Sequence, residues 1–165
     1  MRCLRVKRAK RIQNRACQRH GTSLVEAAFV LPVFFFIVFA IIEFGHAQMV
    51  INVMQSACRN AARIGSTEMA TTTEVTNHVN RIMSSAFATA TASIYVLDAS
   101  AFDNSSTPPA DGAGIEALPS IELLNADSRQ LFVVRATVPY NDIALVPMPF
   151  MNGVVLEGQA IMRHE

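Results

Sequence analysis

The chain has 165 residues, 51% of them hydrophobic and 16% charged, which limits it to one modest domain and an anchor. Its net charge of +1 conceals an asymmetry, because residues 1–20 contain eight of the 14 basic residues and none of the 13 acids. Such a basic arm is typical of nucleic-acid binding. Here it abuts an apolar run and has no aromatic residue for stacking on bases, so we expect no nucleic-acid partner.

An apolar segment follows the basic leader at residues 21–42. Residues 27–42 carry no charge, and with Leu24 and Val25 they approach the ~20 residues that span a bilayer. Because a basic flank stays on the cytoplasmic side, the leader predicts a cytoplasmic N-terminus and a chain that crosses the membrane once.

Three interpretations of this segment remain open. It can be a removable secretory signal cut near Gly45 and Ala47, although its apolar region exceeds the ~7–15 residues usual for such signals. It can be an uncleaved anchor. It can also be a membrane helix that is processed after Gly21, an interpretation that explains the acid near its start.

That acid is Glu26, whose carboxylate needs a partner if it enters lipid. Ser23 and Glu26 fit the S-x-x-E capping box, in which the glutamate returns to the backbone N–H of the serine. A cut after Gly21 offers a second role, because Thr22 would then carry a free ammonium group. Glu26, now the fifth residue, could neutralise the ammonium group of an adjacent subunit. The two roles are compatible.

The basic leader, Gly21, Glu26 and the unbroken apolar helix resemble the processing site of type IV prepilins. The run GTSLVEAAFVLP, which ends at Pro32, resembles the TadE-like pseudopilins of tight-adherence (Tad) pilus systems. The resemblance extends from about residue 19 to residue 66 and is weak beyond it. It implies cleavage by a prepilin peptidase between Gly21 and Thr22.

Two departures from the major pilins accompany this resemblance. Many major pilins begin their mature chain with Phe, where this chain has Thr22, and the small Tad pilins typically have Tyr at the position of Ala27. Those small pilins also largely lack a C-terminal domain of this size. The departures favour a minor pilin-like subunit over the main filament subunit.

A heptad-like apolar seam continues the predicted helix through residues 43–66. Its members are three or four residues apart: Ala47, Val50, Met54, Ala57, Ala61 and Ile64. The seam can cover the chain's own small domain, or it can pack against other subunits. Gly65 is the predicted stop, since glycine suits the position after a helix end.

The remainder, residues 67–165, predicts a small α+β domain with one helix and roughly three antiparallel strands. The helix is expected at residues 74–88, after the capping residues of the Thr71–Glu74 stretch. Its predicted apolar face contains Val75, Val79, Ile82, Met83 and Phe87. Strands are expected at residues 93–98, 131–138 and 153–162. Residues 99–130 predict a long connection, with a short strand or turn at 121–124.

No residue pattern predicts catalysis or a cofactor. The chain lacks a phosphate-cradling glycine motif, a Ser/His/Asp constellation and a zinc-type spacing of Cys and His. Five acids surround the long connection: Asp98, Asp103, Asp111, Glu116 and Asp127. Their spacing matches no calcium loop, and a solvated acidic surface is the better interpretation. Cys58 is the only cysteine after the leader, so the exported part has no internal disulfide available.

The sequence therefore predicts a leader at residues 1–21, a membrane helix with its extension at 22–66, and an extracytoplasmic domain at 67–165. Our leading hypothesis is a minor pilin-like subunit for assembly or function of a Tad-type pilus. Its expected partners are a prepilin peptidase, other pilin or pseudopilin subunits, the assembly machinery and membrane lipid. The alternative is a single-pass, membrane-anchored binding module of unrelated role, in which Glu26 only caps a helix.

Overall fold

The computed structural model describes residues 7–87, 92–103 and 112–165, with side chains described from residue 23 and not at residues 112 and 113. Helix α1 spans Lys7–Gly65, and the chain divides within it into two compact units, Met1–Ile42 and Glu43–Glu165. The other elements follow in order as α2 Thr72–Ala86, β1 Ser93–Asp98, α3 Gly112–Glu116, β2 Leu131–Pro139 and β3 Val155–Arg163. The predicted α+β class is confirmed.

The three strands form one antiparallel sheet in the order β1-β2-β3. Ser93 pairs with Thr137 at one end of the first ladder, and Leu131 pairs with Arg163 at one end of the second. β2 is the central strand and is buried over nearly its whole length. Its run of β-branched residues matches that position, because a central strand is covered by neighbours on both edges and often on both faces.

Residues 43–65 of α1 and helix α2 cover one face of the sheet. Val50, Met54 and Ala57 of α1 share a buried cluster with the apolar face of α2 and the inward residues of β2. The seam thus covers the chain's own domain, as one of the two interpretations predicted. Its last member, Ile64, is an exception, since it is 36% exposed at the end of the helix.

α1 lies unusually close to β3 at Gly158. A Cβ atom added there would lie 2.7 Å from the backbone carbon of Met54 and 2.8 Å from the backbone nitrogen of Gln55. The buried thiol of Cys58 donates to the carbonyl oxygen of Gly158 at 3.3 Å. Only a residue without a side chain allows the helix backbone to approach the strand this closely.

α2 begins with the predicted capping chemistry. Thr71 is the N-cap, its side chain accepts from the Glu74 N–H at 3.2 Å, and Glu74 returns to the Thr71 N–H at 3.2 Å. The helix therefore starts two residues before the predicted position and ends at Ala86. Val75, Val79 and Met83 are buried, as their spacing predicted.

The other face of the sheet has a smaller apolar cluster formed by Leu97, Ala99, Ile115 and Val133. The short helix α3 supplies Ile115, so part of the long connection packs on this face. Near residues 121–124 the chain forms a one-residue bridge between Ser120 and Leu97 and a 3-10 turn, Leu123–Asn125. Residues 104–111 of the connection, with Asp111, lie outside the described residues.

Candidate functional site

The predicted processing and assembly residues all lie inside α1. Gly21 and Thr22 are helical, although their side chains lie outside the described part of the chain. Ser23 and Glu26 are exposed. The predicted capping box at Ser23 is wrong for the full-length chain, because α1 begins at Lys7 and Ser23 is therefore in the helix interior. The Lys- and Arg-rich leader has good helix formers, which explains the longer helix.

Residues 24–42 present an almost wholly exposed apolar surface. The phenylalanines at 29, 34, 35, 36 and 39 are each exposed by about half or more. Phe35 lies against Phe34 edge to face, with ring centroids 5.8 Å apart, and stacks on Phe39 at 6.4 Å. These contacts are local to the helix surface. Most of the apolar area remains uncovered, which is consistent with a single-pass membrane anchor.

The described part of the chain has one helix that is long and apolar enough to cross a membrane, by length and composition. The candidate span is Ser23–Gly65, and its most apolar window is entirely unburied in the isolated chain. Pro32 lies inside α1 without ending it. A proline is tolerated in membrane helices when neighbours satisfy the freed carbonyl group.

Glu43 is the first charged residue after the apolar run, and it is buried, with only 1% of its surface exposed. The Tyr140 hydroxyl donates to its Oε1 at 2.6 Å, and the Val146 N–H donates to its Oε2 at 3.0 Å. A buried carboxylate without such donors would be costly, because water no longer solvates it. The two bonds therefore fix residues 140 and 146 to the start of the domain.

One turn further along α1, His46 makes a second polar contact with the same connection. Its Nε2 lies 3.0 Å from the carbonyl oxygen of Ile143. Burial and then the hydrogen bond to the Glu43 carboxylate raise the pKa of Tyr140 to about 12. Tyr140 consequently stays a neutral donor throughout the physiological pH range.

Sequence reasoning missed the Glu43–Tyr140 pair. A signal was present, since Glu43 ends a charge-free run of apolar residues and Tyr140 opens a connection after the strongest strand. The two residues are 97 positions apart, and no spacing rule joins residues so distant.

A charged cluster lies on the sheet face opposite α1. Arg135 of β2 is almost completely buried and donates to Glu157 of β3, to Glu116 of α3 at 3.3 Å, and to Gln159 at 3.4 Å. Glu157 and Gln159 are two residues apart on β3 and therefore share one face of the strand. These bonds explain how a buried arginine is accommodated in an otherwise apolar strand.

Two of the acids near the long connection have partners of their own. Asp98 accepts from the Ser100 N–H at 2.8 Å and the Gln130 amide at 3.0 Å, while Asp103 pairs with Arg163. Although partial burial opposes it, these hydrogen bonds lower the pKa of Asp98. Within residues 7–87, 92–103 and 112–165 no group of three or more His, Cys, Asp or Glu residues could hold a metal ion.

The comparison with known families gives a match on α1. The model of the TadE-like protein family matches residues 21–63. This segment is TadE-like. The predicted resemblance is thereby confirmed, and it is consistent with a TadE-like protein of the Tad pilus system. No curated protein and no solved structure matches the chain.

The TadE-like segment begins at Gly21 and lies wholly within α1, so it includes Glu26, the exposed apolar surface and Glu43. Helix α2 and the sheet lie outside the match. The TadE-like segment thus combines two different surfaces, an apolar one that lacks cover in the isolated chain and one that packs on the domain.

Proposed function

We propose that this protein is a minor pilin-like subunit that serves assembly or function of a Tad-type pilus. The observation that carries the proposal is the TadE-like match over residues 21–63, which coincides with an exposed apolar helix of membrane-spanning length. Its work is binding and assembly, without catalysis. Before assembly the protein is anchored in the inner membrane, with its leader in the cytoplasm and its domain on the extracytoplasmic side. The basic leader favours this orientation.

A prepilin peptidase removes the leader by cutting between Gly21 and Thr22. The family match begins at Gly21, which supports a functional boundary there. Cleavage makes Thr22 the first residue of the helix, so the first four backbone N–H groups lose their intrahelical acceptors. The new ammonium group and these N–H groups place positive charge at the new helix end.

Glu26 then has a role in assembly. It is exposed, and no partner for its carboxylate occurs among the side chains that the structure describes, which begin at residue 23. In lipid such a carboxylate is unfavourable until a positive group approaches it. The Thr22 ammonium group of a neighbouring subunit supplies that charge when helices pack side by side. Pairing of Glu26 with that group would favour the bundled state over the isolated subunit.

The N-terminus of the membrane-extracted protein tests the processing step. Intact mass and N-terminal sequencing should identify Thr22 as the first residue in cells with a working prepilin peptidase. Gly21→Ala should leave the leader attached. Gly45→Ala is the matched control, because an added Cβ there meets nothing within 4 Å and the variant should be cut normally.

Other N-termini would contradict the proposal in different ways. A protein that keeps Met1 in such cells is a plain anchor, and one that begins near Gln48 is a secreted product. Normal cutting of Gly21→Ala would also count against a prepilin peptidase.

Glu26→Gln tests the assembly step. The variant should still insert and be processed, since a neutral amide favours the membrane, but its recovery in crosslinked pilus complexes should fall. Glu68→Gln removes an exposed carboxylate from the region beyond α1 and should assemble normally. Equal recovery of both variants would leave Glu26 with no role in subunit pairing.

A further inference from the structure

The connection between β2 and β3, together with the first two residues of β3, contains a second apolar surface, which we call the apolar loop (residues 143–156). No residue between Asp142 and Glu157 carries a charge, and Asn152 is the only one with a polar side chain. Several large side chains of the loop are nevertheless exposed: Leu145, Val146, Phe150, Val154 and Val155. Several exposed apolar side chains within one short segment are typical of a binding surface.

The apolar loop is held in one conformation. Ile143 and Met148 are buried and attach it to the domain, while the Tyr140 N–H donates to the Val154 carbonyl oxygen at 2.9 Å and closes its base. Pro147 and Pro149 fix two backbone torsions between these points. The exposed side chains are therefore presented by a pre-ordered scaffold, which lowers the entropy lost on binding.

The attachment point of the loop supports one occupant for this surface. The Val146 N–H donates to Glu43, and Glu43 directly follows Ile42, the last residue of the charge-free run. Where the helix leaves the hydrocarbon at Ile42, the chain itself brings residue 146 to the membrane interface. We propose that the apolar loop inserts into the lipid interface beside the helix, an inference that rests on the proposed membrane anchoring.

The bond between Glu43 and the loop fits this location. A carboxylate at the membrane boundary is unfavourable when it faces lipid, and here Tyr140 and Val146 enclose it. No Lys or Arg occurs between Arg135 and Arg163, so the loop has no charge with which to bind anionic headgroups. Insertion is driven by apolar burial, and it should be as strong in zwitterionic vesicles at high salt as in anionic vesicles at low salt.

The absence of tryptophan from the chain allows a direct test. Phe150→Trp places a single indole on the apolar loop, at a side chain 57% exposed. Leu124→Trp is the matched control at 55% exposure. It is adjacent to Leu123, which approaches Gly65 at the end of α1. At 1.5 Å per residue, Gly65 is about 33 Å along the helix from Glu43, to which the loop is attached. Leu145→Trp provides a second position on the loop.

Each full-length variant is reconstituted into phosphatidylcholine vesicles, and its emission is compared with and without brominated lipid. Phe150→Trp and Leu145→Trp should lose at least about half of their emission, because interfacial groups lie ~5–10 Å into the headgroup boundary. Leu124→Trp should keep its emission. Vesicle flotation of the same samples reports anchoring separately.

Other outcomes overturn the inference. Variants that float while neither loop indole is quenched leave the anchor intact and place the loop in water. Blue-shifted emission without quenching means that protein, such as a second copy, covers the loop. Quenching of Leu124→Trp to the same extent means that the whole domain lies on the membrane. Failure of all variants to float overturns the membrane anchoring together with the inference.

Discussion

Two stretches of helix α1 differ in the exposure of their apolar side chains. In residues 23–42 the large residues are exposed, with Phe36 at 56%, although this is the most hydrophobic part of the chain. In residues 43–65 the apolar seam is buried against α2 and the sheet, and Met54 is completely inaccessible. Apart from Glu43 and His46, the polar residues of this second stretch lie on the opposite, exposed side of the helix.

The difference indicates that the two stretches of α1 are suited to different surroundings. The second stretch is amphipathic, because half of its surface meets water and half meets its own domain. The first stretch is apolar all round, as is typical of a helix that is surrounded by lipid or by other apolar helices. Glu43 lies at the boundary between the two stretches, and its buried hydrogen bond with Tyr140 marks where the domain begins.

The largest expected effect is a difference in the stability lost when an apolar side chain is removed from one stretch or the other. Met54→Ala should lower the free energy of unfolding by about 2–5 kcal/mol, because it leaves a cavity in the domain core. Phe36→Ala should change it by less than about 0.5 kcal/mol, since that side chain is more than half exposed and lies outside the buried core. Denaturant unfolding of both full-length variants in detergent measures the two values. Similar losses would mean that the first stretch also belongs to the folded core.

The close approach of α1 and β3 is the next test. Gly158→Ala should lower stability by about 1–3 kcal/mol, because the new methyl group collides with the helix backbone at Met54 and Gln55. Gly45→Ala, on the exposed side of the same helix, should be neutral or slightly stabilising. A tolerated Gly158→Ala variant would show that α1 stands further from the sheet than the structure places it.

The boundary between the stretches is tested by Tyr140→Phe. The change removes one of the two donors to the buried Glu43 carboxylate, so stability should fall by about 1–3 kcal/mol. Tyr95→Phe is the control, because that ring is partly exposed and its hydroxyl has no hydrogen-bond partner in the described residues. If both variants unfold alike, the hydroxyl of Tyr140 contributes nothing to the boundary.

The smallest expected effect is a dependence on alkaline pH. The folded-state pKa of Tyr140 is raised from 10.0 to about 12, so its contribution is complete below pH 10 and is lost as the pH rises through about 12. Stability of the unmodified protein should therefore decline across this interval. Tyr140→Phe should decline less, and parallel curves for the two proteins would contradict the raised pKa.

Much of the fold could be predicted, because its signals are local. The strand at residues 93–98 matches β1 in both bounds, and the apolar spacing from Val75 to Met83 predicted the buried face of α2. The capping box at Ser23 was wrong, since the leader continues the helix upstream. A local motif identifies a helix start only if the residues before it are not helical.

By itself the sequence determined the basic leader, the apolar run with Glu26 near its start, and the heptad-like seam, since charge and periodicity are properties of neighbouring residues. Only the tertiary structure decided that the seam covers the chain's own sheet, and that Glu43 accepts from Tyr140 and Val146. The reason is physical. An apolar seam predicts that its side chains will be buried, but it does not predict which segment will bury them. The partner is set by packing between segments about a hundred residues apart, which no local pattern encodes.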